Sequence, residues 1–196
     1  MMERISWALA ALLLMLPGAA LACDNPLDAC DREVAGAFPV VGAAPVTVFV
    51  PDEESEAVHR AGRALVQDIV RVGGTAEYRR GAGGASGPSI LVSTDPGKVQ
   101  GWESFRQEVS GARLSITGSD PRGAIFGVYD LSERIGVSPW YWWADVPPRQ
   151  HDALWLVAGA HEDAPKVRYR GFFINQLLGF GSSTGSTSLN LKDKSF

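Results

Sequence analysis

A run of five strand-forming residues, Val46 to Val50, lies between prolines at positions 45 and 51, and it constrains the fold more than any other segment. A short apolar run bounded by turn residues is typical of a buried strand. The following residues, 52–72, space their apolar side chains by three and four, carry acids in the first turn and end at two glycines. This pattern predicts an amphipathic helix that covers the strand.

Four more short runs predict strands, namely Thr75–Arg79, Ser89–Ser93, Ala112–Thr117 and Ala153–Val157. A second amphipathic helix is predicted over Arg122–Ile135, with Asp120 as its N-cap and Gly136 as its stop. Residues 102–109 are compatible with a helix. The fold class expected is therefore α+β, a mixed β-sheet with two main helices packed on it.

A glycine-rich segment, 81–87, separates the second and third predicted strands. A phosphate-binding loop would open into a helix whose N-terminus faces the anion, whereas here Pro88 and a strand follow. We therefore interpret the segment as a flexible hairpin loop.

The chain has 196 residues and a formal net charge of -4, which indicates one globular domain of mildly acidic character. Its basic residues are scattered among carboxylates, so nucleic acid is not expected as a partner. A (β/α)8 barrel takes about 250 residues and does not fit in a chain of this length.

The first 22 residues have the pattern of a signal peptide, an apolar run followed by small residues, which predicts export to the periplasm or outside the cell. Cys23 would then begin the mature chain and the lead-in of residues 23–45. Cys23 either forms a disulfide with Cys30, or carries a lipid, or both thiols are unpaired. Only the lipid would place the protein on a membrane.

Trp140, Tyr141, Trp142 and Trp143 form the most unusual local composition of the chain. Four consecutive aromatic rings either seal an interface to a following domain or stack against sugar rings. Asp145 follows them as a loop cap. Asp130 and Glu133 fall on the polar face of the second helix, where solvated carboxylates are expected. The fork of Arg122 suits a uronate carboxylate, but a local ion pair is the other interpretation.

Other catalytic patterns lack the context that they require. Residues 181–185 match GxSxG, but a nucleophile elbow needs a strand before it and a helix after it. His59, His151 and His161 are far apart in sequence and have no cysteine pair nearby, so no metal site is predicted. No cofactor is predicted either.

The continuous run from Gly118 to Pro147 resembles the signature of glycoside hydrolase family 115, the xylan α-1,2-glucuronidases. Residues 166–175 resemble the point where that family leaves its N-terminal α/β domain and enters its catalytic barrel. The pattern from Arg122 to Gly127 is also similar to the domain that precedes the barrel in β-hexosaminidases. The resemblance assigns residues 46–165 to an N-terminal α/β domain and 166–175 to a remnant of the first barrel strand.

The resemblance implies an exported, inverting hydrolase that removes 4-O-methylglucuronic acid side chains from glucuronoxylan without a metal. Its two carboxyl groups would come from the barrel. The family pattern Ile-Asn-Asp-Glu is matched only through Ile174 and Asn175, because Gln176 and Leu177 replace both acids. We therefore predict no catalytic residue in this chain, whose last residues, 176–196, form a low-complexity tail. A truncation, a frameshift and an alternative end all explain that change.

By family resemblance the partner is a polysaccharide such as glucuronoxylan. The residues that we expect to contact it from their surface positions are Trp140, Tyr141, Trp142, Trp143, Asp145 and Asn175. Two other roles stay open. The chain could be a secreted or lipid-anchored carbohydrate-binding module that uses the aromatic run, or an inert fragment whose exposed aromatic patch makes it aggregate.

Overall fold

The computed structural model describes residues 23–84 and 86–170, apart from the side chains of Trp142 and Trp143. In chain order the elements are β1 (Ala29–Cys30), β2 (Phe38–Val41), β3 (Val46–Val50), α1 (Glu56–Arg71), β4 (Ala76–Arg80), β5 (Ser89–Thr94), β6 (Phe105–Ser110), β7 (Arg113–Gly118), α2 (Pro121–Arg134), α3 (Tyr141–Ala144), β8 (Leu154–Leu156) and β9 (Gly159–Asp163).

Six strands form the main sheet in the order β4-β3-β5-β7-β6-β9. The first four are parallel to one another, β6 runs antiparallel to β7, and β9 runs antiparallel to β6. A small antiparallel sheet, β1-β8-β2, completes the strands of the described chain. The α+β fold predicted from the sequence, a mixed sheet with two main helices, is confirmed.

Helices α1 and α2 contact each other and cover one face of the main sheet. Glycines bring them close to it, because a Cβ at Gly62 would lie 2.7 Å from a methyl of Val50 and one at Gly127 would lie 2.6 Å from a methyl of Ile116. The core lies between these helices and the sheet. Since each helix returns antiparallel to the strand before it, both helices end near the amino ends of the parallel strands.

A polar side chain caps the N-terminus of each main helix. The side chain of Ser55 caps α1, and the Asp120 carboxylate accepts the N–H of Gly123 at the start of α2, as predicted. Gly136 has a φ of 103° just after α2, the left-handed conformation of a helix stop.

The helical prediction for residues 102–109 is wrong, since Phe105–Ser110 is strand β6. Phe105, Gln107 and Val109 are buried and the residues between them are not, which is the period of a strand. Strands β1, β2 and β9 were not predicted.

The hairpin prediction for 81–87 is also wrong. Strands β4 and β5 flank β3 on its two sides and run parallel to it, so the chain passes from one side of β3 to the other instead of turning back beside β4.

Several predictions fall outside the described residues: the signal peptide (1–22), Asn175 with the end of the barrel-strand remnant, and the tail (176–196). The chain divides into two compact units between Ala164 and Pro165. In the second unit, residues 166–170 contain no helix or strand. Among the described helices, none combines the length and apolar character needed to cross a bilayer.

Candidate functional site

The aromatic run begins with an exposed tryptophan. Trp140 is 60% exposed and its backbone N–H donates to the Ser138 hydroxyl over 3.2 Å. The next four residues form the short helix α3, which ends at Asp145 in the left-handed conformation, with φ 49°. Asp145 itself is exposed. It therefore terminates the helix, the position expected of a loop cap.

Tyr141 is attached to the end of α1. The guanidinium carbon of Arg71 lies 5.2 Å from the centre of the Tyr141 ring, the geometry of a cation–π contact. Arg71 also pairs with the buried carboxylate of Asp68 at 2.5 Å. Tyr141 packs against the core as well. One face of its ring is thus occupied by protein.

The segment after the aromatic run is fixed to the same end of α1. The backbone N–H of His151 donates to the backbone carbonyl oxygen of Val72 over 2.9 Å. Burial lowers the pKa of His151, and the positive charge of Arg149 lowers it further. The imidazole is therefore held in a site that favours its neutral form.

The carboxylates that the sequence places near the aromatic run are those of Asp130, Glu133 and Asp145. Asp130 accepts a 2.6 Å bond from Arg134 one turn later, and Glu133 is exposed. Arg122 pairs at 2.8 Å with the buried carboxylate of Glu103. The local ion pair is therefore the correct interpretation of Arg122.

A proton donor for glycoside hydrolysis needs a carboxyl group whose pKa is raised. Glu56 shows the reverse, because its hydrogen bond from Arg63 and the nearby charge of Arg80 lower the pKa of its carboxyl.

Within residues 23–84 and 86–170, no three His, Cys, Asp or Glu side chains come together in a group that could hold a metal ion.

The cysteines pair near the start of the described chain. Cys23 and Cys30 form a disulfide whose Cα atoms are 5.7 Å apart. Among the other predicted contact residues, Asn175 lies outside the described residues and the side chains of Trp142 and Trp143 are not described. The structure therefore locates Trp140, Tyr141 and Asp145 only.

A second candidate site was missed from the sequence. It is a depression of 360 Å³ on the sheet face opposite the helices, which we call the sheet groove, and its lining is Leu91, Ser93, Lys98, Arg106, Glu108, Ser115 and Thr117. The one signal that points to it is the outward polar position recurring along β7, at Arg113, Ser115 and Thr117.

Comparisons with known proteins point to glycoside hydrolases. No family model matches the chain, and no curated protein does. The structure is similar to that of a family GH115 4-O-methyl-α-glucuronidase with specificity for decorated arabinogalactans, with a TM-score of 0.57 and 26% identity over 67% of this chain. This chain spans 19% of the length of that protein.

Two further solved structures are similar over a larger share of this chain. One is a mutant β-hexosaminidase of Streptomyces plicatus, with a TM-score of 0.49 and 19% identity over 76% of this chain and 28% of the other. The second is a GH20 β-N-acetylhexosaminidase from Streptomyces coelicolor A3(2), with a TM-score of 0.48 and 16% identity over 72% and 26%. The structural neighbours named here are glycoside hydrolases.

Proposed function

We propose that this chain is the N-terminal, non-catalytic domain of a glycoside hydrolase that removes 4-O-methylglucuronic acid from a polysaccharide. The observation that carries the proposal is the structural similarity to the GH115 4-O-methyl-α-glucuronidase, with 26% identity and a TM-score of 0.57. The resemblance of the sequence of residues 118–147 to the same family also supports it.

The chemistry is assigned to a barrel that follows this domain. Hydrolysis with inversion needs a protonated acid and a base on opposite sides of the scissile bond. Asp130 and Glu103 are instead engaged by arginines, and arginines hold Glu56 ionised. These carboxylates have structural roles in the domain.

The polysaccharide main chain has two candidates. The family resemblance implies glucuronoxylan, whereas the similar glucuronidase has specificity for decorated arabinogalactans. Glucuronic acid side chains are the shared feature of the two substrates, so the proposal concerns the sugar that is released and leaves the main chain to the assay.

The helix side of the domain is proposed to meet the barrel. Trp140 and Val146 are 60% and 50% exposed, and apolar side chains exposed to this degree are typical of surfaces that another domain covers. The second candidate role, a carbohydrate-binding module, rests on the same exposure of Trp140, because an open indole face stacks on a sugar ring.

Export is part of the proposal. A disulfide between Cys23 and Cys30 persists in an oxidising compartment such as the periplasm or the cell exterior. A disulfide-bonded Cys23 also has no thiol for a lipid, which favours the soluble exported form over the lipoprotein.

The test measures release of 4-O-methylglucuronic acid from glucuronoxylan and from decorated arabinogalactan. The full chain alone is expected to release none above a boiled control. A chimera in which residues 23–165 replace the N-terminal domain of a GH115 glucuronidase is expected to be soluble and active. Release by the chain alone, or a folded chimera without activity, would contradict the proposal.

A further inference from the structure

The sheet groove is built by strand register. Because neighbouring residues of paired strands point to the same face, two rows of side chains cross the sheet. The first row is Ser93, Thr117, Arg106 and Glu162, and the second is Leu91, Ser115, Glu108 and Ala160. The rows run across β5, β7, β6 and β9, three strand spacings or about 14 Å.

The groove continues beyond these rows. A second depression, of 310 Å³, shares Lys98 with the first and is lined further by Gln100, Glu162 and Asp163. Lys98 therefore stands between two adjoining depressions. Together they are longer than a single sugar ring needs.

The groove offers hydrogen-bonding groups that the described chain does not use. The hydroxyls of Ser93, Ser115 and Thr117 form no hydrogen bond within the described residues, and each can both donate and accept. Leu91 adds an apolar surface between them. This combination matches a polyol, whose hydroxyls alternate with C–H groups.

The charges of the groove are already balanced. Arg106 pairs with Glu162 and with Glu108, and Lys98 lies 3.5 Å from the carboxylate of Asp95. Since both cations are paired with carboxylates, the groove presents no net positive charge to an acidic ligand, whereas an uncharged ligand can form hydrogen bonds with the guanidinium and carboxylate groups without separating any pair. The groove is therefore suited to an uncharged chain.

We propose that the sheet groove binds the uncharged main chain of the polysaccharide whose side chains the enzyme removes. The proposal rests on the proposed function for the nature of the polysaccharide. The groove lies on the sheet face opposite α1 and α2, so occupation of the groove leaves the helix side of the domain accessible.

The experiment titrates the full chain with xylohexaose and, in affinity electrophoresis, with uncharged arabinoxylan and arabinogalactan. The chain is expected to bind at least one of these probes. The double variant Ser93→Ala with Thr117→Val removes two hydroxyls with little change in volume, and its Kd is expected to rise about tenfold. Ser115→Tyr, which fills the groove, is expected to abolish binding.

Tyr129→Phe is the matched control, because Tyr129 is an exposed residue of α2 on the other side of the sheet, and its Kd is expected to match that of the unmodified chain. Trp140→Ala tests the competing assignment of binding to the aromatic run. Thermal unfolding of every variant verifies that it is folded. Should Ser115→Tyr not fold, the Kd of the double variant alone tests whether the groove binds the probe. No binding by the folded full chain would overturn the proposal. Loss of binding in Trp140→Ala but not in the groove variants would assign binding to the aromatic run instead.

Glucuronoxylan bound more than tenfold more tightly than arabinoxylan would show that the ligand is acidic, which also overturns the proposal. Failure of the groove proposal can be distinguished from failure of the proposed function. If the chimera releases 4-O-methylglucuronic acid while the full chain binds none of the probes, the hydrolase assignment stands and the groove is ruled out as a binding site.

Discussion

The Nδ1 atom of His59 lies 2.6 Å from the phenolic oxygen of Tyr78, inside the contact between α1 and β4. Arg80 approaches the other ring nitrogen, Nε2, at 3.3 Å. A guanidinium only donates, so Nε2 accepts and the proton is on Nδ1, from which it is donated to Tyr78. Since His59 is 1% exposed, this pair is a buried polar link between helix and sheet.

Replacement of Tyr78 by Phe removes the acceptor and leaves the Nδ1–H of His59 buried without a partner. We expect the free energy of unfolding to fall by about 1–3 kcal/mol. A chain of this size loses about 2–4 °C of thermal midpoint per kcal/mol. Tyr129→Phe is the control, because Tyr129 is 51% exposed and a change there costs less than about 0.5 kcal/mol. Equal midpoints for the two variants would contradict a stabilising hydrogen bond between His59 and Tyr78.

Gly123 occurs where the first turn of α2 meets the backbone before β6. A Cβ at this position would overlap the carbonyl oxygen of Ser104 and lie 3.1 Å from the carbonyl carbon of Glu103. Backbone atoms cannot move aside as a side chain can, so Gly123→Ala is expected to cost at least about 1–3 kcal/mol in chemical denaturation.

The matched glycine variant is Gly87→Ala. A Cβ there has its nearest neighbour at 4.0 Å, the carbonyl oxygen of Pro45. This variant is expected to unfold within about 0.5 kcal/mol of the unmodified chain. A loss at position 87 as large as that at 123 would mean that backbone contact is not the cause.

The Asp120 carboxylate links the first turn of α2 to the backbone just before β6. One carboxylate oxygen accepts the N–H of Gly123 at 2.8 Å and the other accepts the N–H of Glu103 at 2.9 Å. Asp120→Ala is expected to cost about 2 kcal/mol, the upper end for an N-cap. Ser55→Ala should cost less, because the Ser55 hydroxyl is 3.5 Å from the N–H of Val58. Denaturant midpoints compare the two, and a larger loss for Ser55 would refute this ranking.

His151 makes stability depend on pH. Its pKa is lowered in the folded state, so below the ordinary value of about 6.5 the unfolded chain binds more protons than the folded one. The free energy of unfolding is therefore full above about pH 6.5 and declines as the pH falls toward the folded-state pKa of His151. Thermal midpoints between pH 7.5 and 5 should show this decline.

His151→Asn removes the titrating group and is expected to flatten the decline. Gln150→Asn, which changes an exposed, uncharged neighbour of His151, is the comparison variant and should keep the slope of the unmodified chain. If the slope survives in His151→Asn, other groups account for the pH dependence.

Much of the fold could be predicted because local periodicity and burial agree. Val46–Val50 is buried along its whole length and has a strand on each side, and α1 buries the residues at its three-and-four spacing. Asp120 was identifiable as an N-cap because the proline after it favours the first helical turn. In each case a local rule and the tertiary packing select the same structure.

The errors arise where tertiary contacts override the local pattern. Gln107 is fully buried and its amide donates to the carbonyl oxygen of Gly127 over 2.8 Å. A polar residue at a core position hides the alternation of Phe105 and Val109, so β6 was not recognised as a strand. Similarly, no local signal reports that β4 and β5 flank β3 instead of pairing with each other.

The two candidate sites differ in whether the sequence alone reveals them. The aromatic run is contiguous in sequence and was visible there, whereas the sheet groove takes its residues from three strands and a loop. Its rows exist only once β5, β7 and β6 are in register. Sequence patterns place each hydroxyl on an outward face but do not determine its neighbours across the sheet.

The outermost strands of the main sheet have a consequence for behaviour in concentrated solution. β4 ends in Glu77, Tyr78, Arg79 and Arg80, and β9 ends in His161, Glu162 and Asp163. A strand from another copy added to either rim would have to strip water from these charges. Fibril-like growth from the rims is therefore disfavoured, and self-association, where it occurs, is expected through the apolar residues of the helical layer.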